Sequence, residues 1–163
     1  MSPSEIARAV RLRLAAEVID DLAALDKLAA SVAALRSPAA DTRDDWMRAL
    51  ALAFAVERYY TAVEATLTRV LRALDGDVPS GSASHQELLR AATVAVAGAR
   101  PAIVGKEALA ELRELLKFRH LARHGYESEP EIGRMAEHAM RVGAAHANVG
   151  ADLRALVAWL SAE

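Results

Sequence analysis

The chain has 163 residues and a formal net charge of −2, with 53% hydrophobic residues, only 4% aromatic residues and no cysteine. This length suits a single domain with a buried core, which we expect to span residues 1–163. The charge excludes a global basic field for nucleic acid, and the lack of cysteine excludes disulfides, thiolate metal sites and cysteine nucleophiles. No apolar run reaches membrane-spanning length and no signal-peptide core is visible, which predicts a cytoplasmic protein without a membrane partner.

The first helix is predicted from its start and stop signals. Ser2, Pro3 and Glu5 fit an N-cap, a first-turn proline and a capping-box partner, and Ser37-Pro38 should end the helix. Its apolar positions recur at helical spacing, which predicts a long amphipathic helix. These positions are Ile6, Val10, Leu14, Val18, Leu22, Leu25, Leu28, Val32 and Leu35.

The second helix should begin near Asp41 or Thr42 and end at Gly76. Glu64 falls inside its apolar stripe, at about 40° from Tyr60. Because a buried acid and a buried arginine on two helices are natural partners, we predict that Glu64 faces Arg119. An exposed position at the edge of the stripe is the alternative. The stripe comprises Trp46, Leu50, Phe54, Tyr60, Val63, Leu67, Leu71 and Leu74.

Three further helices complete the predicted all-α bundle. A short third helix should open at the Ser84 capping box and reach Gly98, and His85 inside this cap is interpreted as a surface or capping residue. The fourth should run from about Lys106 to His124, with Gly125 closing it.

The fifth helix should start at Ser128, Pro130 and Glu131 and run to Trp159 or beyond. On this helix, Gly143 and Gly150 suggest a face that another helix backbone approaches, while His138 and His146 are interpreted as solvated or interface residues.

The end of the fourth helix concentrates the chemistry-bearing side chains. Leu109, Leu112, Leu115 and Leu116 form an apolar stripe that leads to Arg119 at its centre. The side chains of Arg119, His120, Arg123 and His124 share one face, within roughly 140° of the helix circumference. A cation in a core stripe is costly unless it is paired, so one interpretation is a structural arginine in a salt bridge. The other is a site that handles phosphate, with arginine as clamp and histidine as proton carrier.

The spacing of Arg119 and His124 suits metal-independent RNA cleavage. A histidine can take the proton of a ribose 2′-hydroxyl or protonate the leaving oxygen, and an arginine can neutralise charge at phosphorus. Because one imidazole cannot easily do both, a second copy from a symmetric dimer is attractive. His120 and His124 also have two-histidine metal spacing, but the neighbouring arginines disfavour a dication. We therefore predict no metal, and no cofactor fingerprint is visible.

Four segments resemble the HepT-like toxins of the HEPN ribonuclease superfamily. FRHLARHGY, from Phe118 to Tyr126, resembles the family's R-x4-H-x-Y signature. The long segment from Tyr59 to Gly81 resembles its second helix and loop, and HQELL and ARPAIV resemble the segments that follow. The resemblance covers about residues 46 to 126.

The resemblance implies a homodimeric, up-and-down bundle of about five helices in which two R-x4-H motifs face a shared cleft. Arg119 and His124 would be the catalytic pair of an endoribonuclease, with His120, Arg123 and Glu64 in support. Tyr126 matches the residue that a partner, a minimal nucleotidyltransferase (MNT) antitoxin, modifies with AMP to silence the toxin. Two alternatives stay open. One is an inactive HEPN bundle that binds a partner protein or nucleotide, and the other is a structural helical protein.

Overall fold

The computed structural model describes residues 3–36, 45–81, 84–124 and 131–162, without the side chains of residues 3, 4, 6 and 120–124. It contains helices α1 (Pro3–Arg36), α2 (Asp45–Asp75), α3 (Ser84–Ala92), α4 (Lys106–His124) and α5 (Ile132–Ser161). Within these ranges the β-type pairing is confined to one isolated bridge, between Val96 and Arg100. The prediction of an all-α protein is therefore confirmed. Judged by length and apolarity together, no helix in the described ranges could cross a membrane.

Side-chain bonds between helices show that the long helices alternate in direction. Near the start of α2, Arg48 donates to the carbonyl of Leu35 at the end of α1 (3.4 Å), which makes these helices antiparallel. Near the start of α1, Arg11 donates to the carbonyl of Leu160 at the end of α5 (3.2 Å).

α4 and α5 are antiparallel as well. The backbone N–H of Gly105, just before α4, donates to Asp152 in the second half of α5 at 2.7 Å. Arg141, nearer the start of α5, pairs with Glu111 at 3.5 Å. The predicted up-and-down bundle is thus confirmed, and the short helix α3 lies between the antiparallel helices α2 and α4.

The predicted apolar stripe of α2 is correct from Tyr60 onward and wrong before it. Trp46, Leu50 and Phe54 are 51%, 38% and 61% exposed, whereas the core takes smaller residues on another face of the same turns. The first half of α2 is apolar on two faces, and spacing alone cannot tell which face the other helices cover. On α1, Val10 is also 50% exposed, against the prediction. The core residues in the first half of α2 are Ala49, Leu52 and Val56.

Of the two α5 glycines in the prediction, Gly143 does not mark a close helix approach. A Cβ at Gly143 would meet no atom of the described chain within 4 Å, so the prediction for this residue is wrong. A Cβ at Gly150 would lie 3.1 Å from a guanidinium nitrogen of Arg154, a side chain of the same helix. The helix nonetheless continues through both positions, because packing of its buried face, which includes Val142, Val149 and Leu153, holds it in place.

An ion pair between a buried arginine and an exposed aspartate fixes the end of α2 to the connection between α3 and α4. Arg100 donates to both carboxylate oxygens of Asp75, through Nε at 2.6 Å and Nη2 at 2.7 Å. Its remaining N–H groups reach the carbonyls of Ala91 (3.2 Å), Val94 (2.7 Å) and Pro101 (3.1 Å). All five donors of the guanidinium are therefore used. This connection sets where α4 begins, and hence which residues of α4 meet α2.

The ion pair between Arg100 and Asp75 makes the free energy of unfolding depend on pH in the acidic range. Arg100 holds the pKa of the Asp75 carboxyl below its usual value. A folded pKa below the unfolded pKa stabilises the fold above about pH 4, and this contribution is lost as the pH falls through the folded pKa. We expect the difference in Tm between the wild type and Asp75→Asn to be constant from about pH 7 to pH 5 and to shrink below about pH 4. Thermal melts that keep the full difference at lower pH would contradict this.

Candidate functional site

Three side chains, one from each of α2, α3 and α4, meet at the carboxylate of Glu64. Arg119 of α4 donates through Nη1 to Glu64 Oε2 at 2.6 Å, which confirms the predicted contact between these residues. Tyr60, one turn before Glu64 on α2, donates its hydroxyl to Oε1 at 3.4 Å. His85, the second residue of α3, places Nδ1 against the same Oε1 atom. We call these four residues the Glu64 cluster.

The Glu64 cluster is largely removed from solvent on the side of α2 and α4. Arg119 is 8% exposed and Tyr60 is 1% exposed. The guanidinium carbon of Arg119 lies 5.6 Å from the centre of the Tyr60 ring, within range of a cation–π contact. Burial, followed by the charge of Glu64, raises the pKa of Tyr60, so this residue acts as a neutral hydroxyl donor. The carboxylate is therefore held by a cation and a hydroxyl group at the same time.

One polar atom of the cluster stays without a partner. The Nε atom of Arg119 is buried and has no hydrogen-bond partner among the described residues. A buried, unsatisfied N–H group costs free energy, which a core position selected only for stability would avoid.

His85 is the functional candidate that the sequence analysis missed. The side chain is 40% exposed, and its Nδ1 atom lies 3.4 Å from Arg119 Nη1 as well as against Glu64. A carboxylate beside Nδ1 favours the tautomer that carries the proton on this nitrogen. The interpretation of His85 as a surface or capping residue agrees with its partial exposure but did not anticipate its contact with Glu64. No local spacing reveals the contact, because Glu64 precedes His85 by 21 residues and a loop separates them.

The structure brings together some of the predicted site residues and leaves others outside the description. Arg119 and Glu64 are in contact, as stated above. The backbone of α4 extends to His124, but the side chains of His120, Arg123 and His124 lie outside the described residues, as does all of Tyr126. On a regular helix, His124 follows Arg119 by about 7.5 Å along the axis and about 140° around it.

The two histidines of α5 belong to other contacts. His146 bridges two helices, with Nε2 at 2.9 Å from Asp26 and Nδ1 at 3.3 Å from the Tyr59 hydroxyl, so it is not a solvated side chain. His138 packs on Phe118, with ring centres 4.3 Å apart, and burial lowers its pKa. In the described part of the chain, no group of three or more acidic or imidazole side chains converges as metal ligands do.

Comparison with known proteins gives one match. A family model described as "HepT-like protein" matches residues 51–160 of the chain. The matched range contains the whole Glu64 cluster. No curated protein and no solved structure matches the chain.

Proposed function

The chain belongs to the HepT-like family, and on this premise we propose that it is a metal-independent endoribonuclease toxin of a HEPN/MNT pair, acting as one domain over residues 1–163. The observation that carries the proposal is the arginine at the first motif position. Arg119 is anchored by Glu64 at 2.6 Å beside the imidazole of His85. An arginine fixed in this way loses little conformational entropy when it binds phosphate, which favours its use as an electrostatic clamp.

The proposed reaction is an internal transfer at phosphorus. The ribose 2′-oxygen loses its proton and attacks the adjacent phosphorus while the bond from phosphorus to the 5′-oxygen breaks. The products are a 2′,3′-cyclic phosphate and a 5′-hydroxyl group. Arg119 stabilises the negative charge that builds on the phosphoryl oxygens, and His124 moves a proton. His120 and Arg123 would add positive charge near the scissile phosphate.

An exposed apolar face on α2 supports the proposed homodimer. Trp46, Met47, Leu50 and Phe54 lie within three turns of α2 and are 51%, 58%, 38% and 61% exposed. Large apolar side chains that are grouped on an exposed surface usually mark a site where another molecule binds. Because α2 and α4 are antiparallel, this half of α2 lies toward the C-terminal end of α4, where the motif is. A second copy on this face would bring the two motifs near each other.

A charge on this face should break the dimer. We expect Phe54→Glu to weaken self-association about 30-fold, equivalent to about 2 kcal/mol for a central interface residue. Met140 on α5 is 54% exposed but outside this face, so Met140→Glu is the matched control and should leave association unchanged. Sedimentation velocity over a concentration series measures both. A wild type that stays monomeric, or equal effects of the two substitutions, would contradict the prediction.

The proposed antitoxin is a nucleotidyltransferase that acts on Tyr126. The tyrosine oxygen would attack the α-phosphorus of ATP, release pyrophosphate and carry AMP as an ester. Tyr126 is two residues after His124 in the sequence, so an anionic adduct there would compete with RNA phosphate for the same cations.

One observation favours a second function, that of an inactive helical bundle that binds a partner protein or a nucleotide. The Arg119 side chain is only 9% exposed, and Glu64 already balances its charge. This is the arrangement expected of a structural salt bridge.

Cleavage of RNA in EDTA separates the two functions. The purified wild type should convert a short RNA to products with 2′,3′-cyclic phosphate ends in EDTA, and His124→Ala should lower the rate at least about 100-fold. His146→Ala, which removes an imidazole bound to Asp26 outside the Glu64 cluster, is the control and should keep the rate. A pure wild-type dimer that leaves the RNA intact would favour the inactive bundle.

A further inference from the structure

We propose that His85 is a second catalytic imidazole, the general base that takes the proton from the ribose 2′-hydroxyl, and that Glu64 positions it. This inference rests on the proposed ribonuclease function. It assigns a role to a residue outside the R-x4-H motif, on a different helix, and is carried by the contacts of the Glu64 cluster.

The contacts fix which nitrogen of His85 is available. Nδ1 faces the buried carboxylate of Glu64, so the proton of the neutral ring is favoured at Nδ1. Nε2 is on the opposite side of the ring and then carries the free lone pair. Because 40% of the His85 side chain is exposed, the ring is in reach of a substrate while its inner edge is anchored. This combination is what a general base requires.

The surrounding charges suit this role. Glu64 and Tyr60 face His85 from α2, and Arg119 faces it from α4. Glu64 stabilises the imidazolium that forms when His85 takes a proton, and Arg119 fixes Glu64 in turn at 2.6 Å. The guanidinium and the imidazole thus share one carboxylate, which places the phosphate-binding group and the base side by side. By contrast, His146 has Asp26 and Tyr59 as its hydrogen-bond partners in the described chain, and no arginine pairs with that carboxylate there.

The proposal divides the two proton transfers between two histidines of different helices. His85 Nε2 takes the proton of the 2′-hydroxyl as its oxygen bonds to phosphorus. His124, protonated, gives a proton to the 5′-oxygen as the phosphorus–oxygen bond breaks. The reaction therefore has a base and an acid without requiring two copies of His124.

Kinetics of His85→Gln test the proposal. Glutamine keeps a polar group near Glu64 but cannot act as a base at neutral pH. We expect kcat to fall about 10²–10⁴-fold, the usual contribution of a general base. Affinity for a 2′-O-methyl RNA of the same sequence, which lacks the attacking hydroxyl, should stay within about threefold of the wild type. The acidic limb of the pH–rate profile should disappear, because that limb reports the base.

Glu64→Gln tests the positioning role. This variant should lower kcat, and the long-range nitrogen-15 spectrum of His85 should change from one dominated by Nδ1–H to a mixture of tautomers. His146→Gln is the matched control, since this imidazole is also bound to a carboxylate, and it should keep kcat and the pH profile.

The possible outcomes distinguish this inference from the proposed function. A wild type that cleaves RNA, is inactivated by His124→Ala and keeps its kcat and acidic limb in His85→Gln would overturn the role of His85 alone. A wild type without cleavage would overturn both. Loss of cleavage in His85→Gln together with loss of 2′-O-methyl RNA binding would mean that His85 binds RNA and is not the base.

Discussion

Replacing Arg119 with alanine is expected to abolish RNA cleavage and to lower the free energy of unfolding by about 3–5 kcal/mol. The substitution leaves the carboxylate of Glu64, whose side chain is 12% exposed, without its cation. The donors that remain, the Tyr60 hydroxyl at 3.4 Å and Nδ1 of His85, compensate only part of the desolvation cost. Urea-induced unfolding and a cleavage assay on the same preparation measure the two effects.

A double variant separates the structural role of Arg119 from the catalytic one. Arg119→Met combined with Glu64→Leu removes both charges and fills the space with apolar atoms. Such replacements of buried pairs are commonly neutral or stabilising, so we expect stability within about 1 kcal/mol of the wild type. Cleavage should remain absent, because the clamp and the carboxylate proposed to position His85 are both gone. A stable double variant that cuts RNA would refute a catalytic role for Arg119. An Arg119→Ala variant as stable as the wild type would contradict the expected cost of leaving Glu64 unpaired.

The second large effect is expected at Arg100, outside the proposed site. Arg100→Ala should lower the free energy of unfolding by about 2–4 kcal/mol, because it removes a buried side chain that makes five hydrogen bonds. The variant leaves Asp75 and the carbonyls of Ala91, Val94 and Pro101 without their donor, and the wild-type arginine side chain is only 3% exposed. Because these groups join α2, α3 and the start of α4, the substitution should also loosen the packing of the helices that form the Glu64 cluster. Urea-induced unfolding measures the loss of free energy of unfolding.

An exposed ion pair provides the control for Arg100. Arg69 pairs with Asp21 between α2 and α1, and its side chain is 41% exposed. Exposed pairs contribute little, so Arg69→Ala should cost less than about 1 kcal/mol. Equal losses in the two variants would contradict the view that the Arg100 contacts hold the bundle together.

Most helix bounds were predictable because their signals are local, although α3 ends at Ala92 and the prediction that it reaches Gly98 is wrong. Glycine, proline and capping residues placed the start of α4 at Lys106 and the end of α1 near Arg36, close to the observed bounds. The contact between Glu64 and Arg119 was also predictable, since each charge interrupts an apolar stripe and each needs a partner. The sequence alone therefore predicts one contact of the Glu64 cluster, the one between Glu64 and Arg119.

The rest required the tertiary structure. His85 joins the Glu64 cluster only because a loop returns α3 to the side of α2, and the sequence carries no periodic signal for that return. Phe54 was assigned to the core because an apolar residue at helical spacing fits either a buried face or a face that a partner covers. The identity of the residue does not decide between these two situations.

The pairing of Glu64 with Arg119 has an electrostatic consequence. Their formal charges cancel, so the pair exerts almost no long-range attraction on a polyanion. Binding strength that depends on counterion release must then come from other cations, such as Arg123 or those of a second subunit. In the proposed ribonuclease, the pair would determine where a phosphate is held and how it is oriented, while the speed of RNA capture and its sensitivity to salt would be set elsewhere on the surface.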